Sequence, residues 1–128
     1  MENETNGILL LTLCMKNETV LISHEVLETL ENPKHIQVLV NYEKKKLLLQ
    51  SCEMTDKHAI VVPDDTMDSF LMSGPVLLKS LYRAMEWVDE GTRVVCGEPV
   101  PDRPAVLFNL DEAQPATLQS PLDVSTDC

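Results

Sequence analysis

Residues 20–52 read VLISHEVLETLENPKHIQVLVNYEKKKLLLQSC. A β-rich run meets a serine and is followed by apolar residues with the spacing of one helical face, which predicts a strand and then a short helix over Ser23–Glu31. Asn32-Pro33 ends that helix, because proline cannot continue the hydrogen-bond ladder and disfavours helix at the preceding residue. Two β-rich runs, residues 35–41 and 45–52, predict an antiparallel hairpin.

A second hairpin and one further strand flank this stretch. Residues 8–15 predict a buried strand, residues 16–18 its turn, and residues 19–22 the return strand. Residues 58–62 predict one more strand, which Pro63-Asp64-Asp65 ends.

The second half of the chain follows the same order. After a short strand at residues 70–72, Ser73 is predicted to cap a helix that runs to Trp87, with Pro75 in its first turn, where a missing N–H costs nothing. The predicted apolar face of this helix consists of Val76, Leu77, Ser80, Leu81, Ala84 and Met85. Two strands are predicted after it, at residues 92–96 and 105–110.

These elements predict a mixed α+β fold, a small and mostly antiparallel sheet or barrel with two short helices. The sequences VLISHEVLETL and FLMSGPVLLKSL align Ser23 with Ser73, Val26 with Val76 and Leu27 with Leu77. This alignment predicts tandem strand-helix-hairpin units at residues 8–52 and 58–110, with a chance likeness of two capped helices as the alternative. We expect one domain over residues 1–112 and a disordered tail over residues 113–128, which lack apolar periodicity.

The order strand, short helix with Glu and Leu, and hairpin with a Leu-rich strand resembles the swapped-hairpin units of AbrB and MraZ regulators. Residues 20–52 carry this resemblance, and residues 70–110 carry it more faintly. The tandem arrangement resembles MraZ more than dimeric AbrB. The order of a helix, a strand, a glycine and a final Leu-rich strand is also similar to that of small proteins of Firmicutes and their mobile elements. The family's proline after the first strand and its Gly-Asp turn are replaced here by Ser23-His24 and Asn32-Pro33-Lys34. The resemblance therefore implies a fold and no DNA-contacting residues.

Composition narrows the classes of partner. The formal net charge is −11, and residues 61–128 carry −8 of it, with twelve Asp and Glu against four Lys and Arg. Such a surplus of carboxylates opposes general affinity for a phosphate backbone. The start MENETNG lacks the basic stretch of a signal peptide, and residues 8–15 are too few to cross a bilayer. We therefore expect a cytoplasmic protein that binds neither membrane nor, in general, nucleic acid.

No constellation of residues points to catalysis, a cofactor or a metal. The cysteines, Cys14, Cys52, Cys96 and Cys128, form no Cys-x-x-Cys pair, and His24, His35 and His58 lack the spacing of metal ligands. The cysteine spacing predicts free thiols in a reducing compartment, without disulfide or zinc.

Two charged clusters are candidate binding sites. An acidic cluster around the second helix, with a tryptophan as anchor, is predicted to meet a basic protein surface; its members are Asp64, Asp65, Asp68, Glu86, Trp87, Asp89 and Glu90. The alternative is a solvated surface with Trp87 packed under the helix. A basic cluster offers a second site, for nucleic acid, if Lys34 lies near the hairpin tip; its members are Lys16, Lys34, Lys44, Lys45 and Lys46. Its alternative is a solvated hairpin tip.

The sequence thus predicts a non-enzymatic regulatory or adaptor protein that acts by protein–protein binding. One alternative is an acidic inhibitor, of a kind that a phage would encode, that occupies the basic nucleic-acid groove of a host defence enzyme. The other is an AbrB- or MraZ-like transcription regulator that binds DNA. The oligomeric state stays open, and a homo-oligomer is compatible with the sequence.

Overall fold

The computed structural model describes residues 9–63, 69–88 and 91–115. Over these ranges the chain forms a mainly antiparallel sheet with two α-helices, α1 (His24–Thr29) and α2 (Pro75–Ala84), and a 3₁₀ turn, Leu110–Glu112. The strands are β1 (Leu9–Cys14), β2 (Thr19–Ile22), β3 (His35–Asn41), β4 (Lys46–Ser51), β5 (Ile60–Val61), β6 (Phe70–Ser73), β7 (Arg93–Pro99), β8 (Ala105–Asn109) and β9 (Gln114–Pro115). The coarse prediction of a small, sheet-dominated mixed fold is confirmed.

Ser23 precedes α1, as predicted, but its hydroxyl does not cap the helix. Its Oγ instead accepts a hydrogen bond from the Leu10 amide at 3.1 Å, and its own amide donates to the Leu10 carbonyl at 3.2 Å. Ser23 therefore extends the β1–β2 pairing by one step before the chain turns into the helix.

The second helix differs from its prediction at both ends. Ser73 pairs with Thr19 in the sheet, so that Gly74 is the residue that precedes the helix. The helix ends at Ala84 rather than at Trp87. Because the helix starts one residue later than predicted, a different set of its side chains faces the core. Leu78, Leu81 and Tyr82 are buried, whereas Val76, which was predicted to be buried, is 77% exposed.

Each half of the chain contributes a hairpin to the other half. The strand order is β5-β3-β4-β8-β7-β1-β2-β6, with β9 paired to β7, and every pairing is antiparallel. The hairpin β3–β4 from the first half lies between β5 and β8 of the second half. The hairpin β7–β8 likewise lies between β4 and β1 of the first half. The two hairpins are thus exchanged between the halves.

The pairing has a pseudo-twofold symmetry. Two equivalent strands, β2 and β6, pair with Leu21 opposite Leu71, and β4 and β8 pair with Leu48 opposite Leu107. Loop contacts repeat in the same way: the Ser51 amide donates to the Pro104 carbonyl at 3.1 Å, and the Leu110 amide donates to the Lys45 carbonyl at 2.9 Å. The two contacts are related by one offset of 59 positions, which matches residue 51 with residue 110 and residue 45 with residue 104.

The sheet curls around one core. Val20 of β2 lines the same internal apolar gap as Val38 of β3 and Leu47 of β4, although β2 is far from β3 and β4 in the strand order. The largest fully buried side chains come from both halves and from both helices: Phe108, Leu11, Leu13, Ile22, Leu30, Ile36, Leu47, Leu49, Leu78, Leu81, Leu110 and Val26. Within the described ranges, no pairing joins the outermost strands β5 and β6, so the sheet is a half-barrel.

The sheet includes two residues that lie beyond the predicted domain boundary at residue 112. Gln114 and Pro115, which the sequence placed in the tail, pair with Val94 and Arg93 of β7. The remainder of the predicted tail, residues 116–128, lies outside the described residues.

A left-handed glutamate follows each of the two helices. Glu31 and Glu86 have left-handed backbone conformations, with φ of 67° and 59°. The next amide in each case bonds back across the last turn, from Asn32 to the Leu27 carbonyl at 2.8 Å and from Trp87 to the Tyr82 carbonyl at 3.0 Å. This is the helix ending in which glycine is preferred, because glycine adopts positive φ without a steric penalty.

Replacing Glu31 by glycine should therefore stabilise the protein. We expect the free energy of unfolding to rise by about 1 kcal/mol, since the left-handed conformation penalises a residue that carries a Cβ. The matched control is Glu28→Gly, an exposed position inside α1, which should lower the stability by about 1 kcal/mol. Urea unfolding followed by circular dichroism measures both variants. A loss of stability in Glu31→Gly would contradict this account of the helix end.

Candidate partner-binding surfaces

The structure places two of the seven residues of the predicted acidic cluster. Glu86 is exposed and Trp87 is half-buried at the end of α2. The other five residues, Asp64, Asp65, Asp68, Asp89 and Glu90, lie outside the described residues. The acidic docking surface therefore stays a prediction.

Trp87 packs against neighbouring side chains of its own chain. Its ring meets the Tyr82 ring edge-on, with centroids 4.9 Å apart and an interplanar angle of 83°. The Arg93 guanidinium carbon lies 5.1 Å from the centroid of the Trp87 ring, within the range of a cation–π contact. The Tyr82 hydroxyl lies 2.7 Å from the Gly91 carbonyl oxygen and 3.1 Å from that of Leu13. These contacts favour the alternative interpretation, in which Trp87 packs under the helix end.

The predicted basic cluster does not form one patch. Lys34 directly precedes β3 and Lys44 follows it, so seven strand residues separate them, roughly 20 Å at the rise of a β-strand. The expectation that Lys34 lies near the hairpin tip is wrong, because the two flank opposite ends of the same strand. Lys16 lies in the β1–β2 turn, at the same end of the sheet as Lys44, Lys45 and Lys46.

An acidic side chain lies against this basic tip. The Lys45 Nζ is 3.8 Å from an Asp111 carboxylate oxygen, and both side chains are about half exposed. A carboxylate at this position competes with phosphate for the lysine, which weakens the nucleic-acid interpretation of the tip.

The charge of the described part differs from that of the whole chain. All ten Lys and Arg but only twelve of the 21 Asp and Glu lie in the described ranges, which therefore carry −2. The other nine carboxylates, and with them most of the net charge of −11, belong to residues outside those ranges.

An apolar row crosses the outer face of the sheet. Leu39 of β3 is opposite Leu48 of β4, and Leu48 is opposite Leu107 of β8. These three residues, the leucine row, alternate with core residues and point away from the core. Leu39 is 44% exposed and Leu107 is 36% exposed. Leucines in register on three adjacent strands form a contiguous apolar surface rather than scattered exposed residues.

No pattern in the sequence indicated the leucine row as a site. The run of leucines in β4 is typical of a buried strand, and alternation assigns one set to the core. Only the strand order shows that Leu39 and Leu107, 68 positions apart in the chain, flank Leu48 on the same face.

A cleft of about 500 Å³ opens at the other end of β3. It lies between the end of α1, the end of β4 and the loop before β8. Its lining mixes apolar and charged side chains: Leu30, Glu31, Pro33, Lys34, His35, Ser51, Cys52, Glu53, Met54 and Pro104. The volume lies within the range of small-molecule and peptide side-chain sites.

The thiol in this cleft is not activated. Burial, followed by the nearby carboxylates of Asp56 and Glu53, raises the pKa of the Cys52 thiol above its usual value. Its amide donates to the His35 carbonyl at 3.0 Å. Because the thiolate is the nucleophilic form, a raised pKa opposes nucleophilic catalysis at this position.

One cysteine differs from the sequence prediction of free thiols. Cys14 is buried at the end of β1 and is disulfide-bonded, whereas Cys52 and Cys96 are free. The prediction of no disulfide is therefore wrong for Cys14. It relied on the spacing of cysteines along the chain, which does not determine their distance in space.

The described ranges hold no group of three or more His, Cys, Asp or Glu residues able to bind a metal ion. None of the helices in those ranges is long and apolar enough to cross a bilayer. Comparison of the chain with known protein families, with curated proteins and with solved structures gives no significant match.

Proposed function

We propose that the protein is a non-enzymatic regulatory or adaptor protein that binds a partner protein through the outer face of β3, β4 and β8. The observation that carries this proposal is the leucine row, with Leu39, Leu48 and Leu107 in register on the side of the sheet away from the core. A contiguous apolar row on an outer sheet face is a feature of interaction surfaces.

The charge of the chain indicates the chemistry of the partner. Glu98 lies opposite Leu107, next to the row, and the net charge of the whole chain is −11. An acidic protein with an apolar contact row suits a partner whose surface has an apolar centre and a basic rim. The acidic-inhibitor alternative shares this chemistry and differs in the identity of the partner.

The exchange of hairpins between the halves supports the proposed relation to AbrB- and MraZ-like proteins. The separation of Lys34 from Lys44 and the contact of Lys45 with Asp111 weigh against the DNA-binding alternative. We therefore propose a protein-binding use of a scaffold of this type.

A variant of the leucine row tests this proposal. The partner is captured on the immobilised protein, identified and purified, and its affinity is measured by isothermal titration calorimetry. We expect Leu39→Gln combined with Leu107→Gln to raise the dissociation constant at least about thirtyfold, the effect of removing a hot spot worth about 2 kcal/mol. The matched control is Val76→Gln, an exposed apolar side chain on α2, which should leave the affinity unchanged.

Other outcomes would identify a different occupant. If the double variant binds as tightly as the unaltered protein, the leucine row is not the interface. If sedimentation shows a homodimer that the double variant dissociates, a second copy covers the row and the adaptor proposal fails. Micromolar binding of an arbitrary DNA duplex at physiological salt would instead support the transcription-regulator alternative.

A further inference from the structure

The two halves differ where α1 and α2 end. In the second half, Trp87 follows the left-handed Glu86, and its ring lies between Tyr82 and Arg93. In the first half, Asn32 follows the left-handed Glu31 and makes the same backbone hydrogen bond. In the first half a short polar residue thus follows the left-handed glutamate in place of tryptophan, and Asn32 itself also has a left-handed backbone, with φ of 47°.

The neighbours of that position are also related. Lys34 is the counterpart of Arg93. The Val62 amide donates to the Lys34 carbonyl at 2.9 Å, and in the other half Leu13 of β1 pairs with Arg93 of β7 in the equivalent place. Ser51 takes the place of Leu110, because their amides make equivalent contacts to Pro104 and Lys45. Leu110 is buried, whereas Ser51 and Lys34 line the 500 Å³ cleft.

Asn32 does not line the cleft, whereas Glu31 and Lys34, the counterparts of Glu86 and Arg93, do. The space next to Lys34 that corresponds to the indole ring next to Arg93 is therefore open cleft. We propose that it binds the aromatic side chain of a peptide segment from another molecule, with the Lys34 ammonium against the ring as Arg93 lies against Trp87. The surrounding polar groups of Glu31, His35 and Glu53 suit the peptide backbone on either side of such a residue.

The chain itself has no spare aromatic side chain for this cleft. Its five aromatic residues are Phe70, Tyr82, Trp87, Phe108 and Tyr42. Phe70, Tyr82 and Phe108 are buried, and Trp87 is engaged in the second half. Tyr42 is exposed but follows β3, whereas the cleft is at the start of that strand. None of the residues outside the described ranges is aromatic, so these 128 residues leave no aromatic side chain for the cleft.

This inference goes beyond the proposed function, because the cleft contains no residue of the leucine row.

Cys52 allows occupancy of the cleft to be measured. Its free thiol lines the cleft, whereas Cys96 is a free, exposed thiol of β7 outside the cleft. The rate of alkylation by iodoacetamide is measured for each cysteine by peptide mass spectrometry. A pH near 9 is used because the raised pKa of Cys52 slows its reaction.

N-acetyltryptophanamide is the probe, and N-acetylleucinamide is its aliphatic control. We expect a dissociation constant in the millimolar range for the tryptophan probe. At a concentration ten times that constant, the probe should slow the alkylation of Cys52 about tenfold and leave the alkylation rate of Cys96 unchanged. Lys34→Ala should reduce this protection several-fold. Lys57→Ala, an exposed lysine outside the cleft, should not change it. Ser51→Leu, which introduces the residue of the symmetry-related position, should abolish it.

Several results would overturn the proposal. Absence of protection at Cys52, equal protection of Cys96, or equal protection by the leucine probe would show that no aromatic site exists. Protection by free indole but not by N-acetyltryptophanamide would replace the peptide with a small aromatic compound. Leu39→Gln with Leu107→Gln should retain the protection, so failure of the leucine row and failure of the cleft are distinguishable.

Discussion

Gly97→Val should unfold much of the protein at temperatures that the unaltered chain withstands. A Cβ atom at Gly97 would lie 2.6 Å from the Phe108 ring and 2.7 Å from a Val106 methyl group. These side chains are fully buried and have no room to move away. We expect a loss of about 3 kcal/mol in the free energy of unfolding, and a fall of roughly 10 °C in Tm, because overpacking strains a filled core.

The symmetry of the fold provides the compensating change. Gly97 is opposite Phe108 on β7 and β8, and the equivalent pair on β3 and β4 is Val38 opposite Leu49. One half thus uses a small and a large residue where the other uses two of intermediate size. Phe108→Leu alone should cost about 1 to 2 kcal/mol through the cavity that it leaves.

The double variant, Gly97→Val with Phe108→Leu, should recover to within about 1 kcal/mol of the unaltered protein, because it copies the pair of the first half. Thermal and urea unfolding of the four proteins give the interaction energy between the two sites. Additive losses in the double variant would contradict the equivalence of the two hairpins.

The second large effect is expected for Trp87→Ala. The substitution removes a half-buried indole that contacts both Tyr82 and Arg93 at the end of α2. We expect a loss of about 3 kcal/mol in stability, at the lower end of the range for truncation of a buried aromatic residue. Circular dichroism is the appropriate measurement, because Trp87 is the sole tryptophan in the chain.

Val88→Ala is the control for this prediction. Its side chain is 95% exposed on the neighbouring residue, so the stability should change by less than about 0.5 kcal/mol. A small loss of stability for Trp87→Ala, together with weaker binding of a partner, would restore the prediction of Trp87 as a binding anchor.

The failure of the alignment at the second helix has a specific physical cause. The sequence aligned Ser23 with Ser73, but Ser73 belongs to β6 and the residue equivalent to Ser23 at the helix start is Gly74. Sequence identity favoured the two serines, whereas the pairing of Ser73 with Thr19 keeps Ser73 in the sheet. As a result Leu78, rather than Leu77, corresponds to the buried Leu27.

The candidate sites were less predictable than the fold. Charged clusters are visible in a sequence, but their use depends on which side chains meet in space. Lys34 and the hairpin tip are separated by the length of β3, and the leucine row and the cleft both join residues from the two halves of the chain. No local pattern encodes such a juxtaposition.

The sequence by itself determined the local elements of this protein. Alternating and β-branched runs specified the strands, and proline at residues 33 and 75 marked where one helix could not continue and where another could begin. These features depend on steric preferences of neighbouring residues, which is why strand β2 and hairpin β3–β4 agree with their predictions.

Only the tertiary structure decided how those elements combine. The exchange of hairpins, the pairing of Leu48 with Leu107 and the difference between Asn32 and Trp87 at equivalent helix ends all depend on contacts between residues distant in the chain. Such contacts form because the apolar faces of both halves must be buried together in one core. The same requirement places the leucine row on the outside of the sheet and leaves the cleft beside Lys34 open.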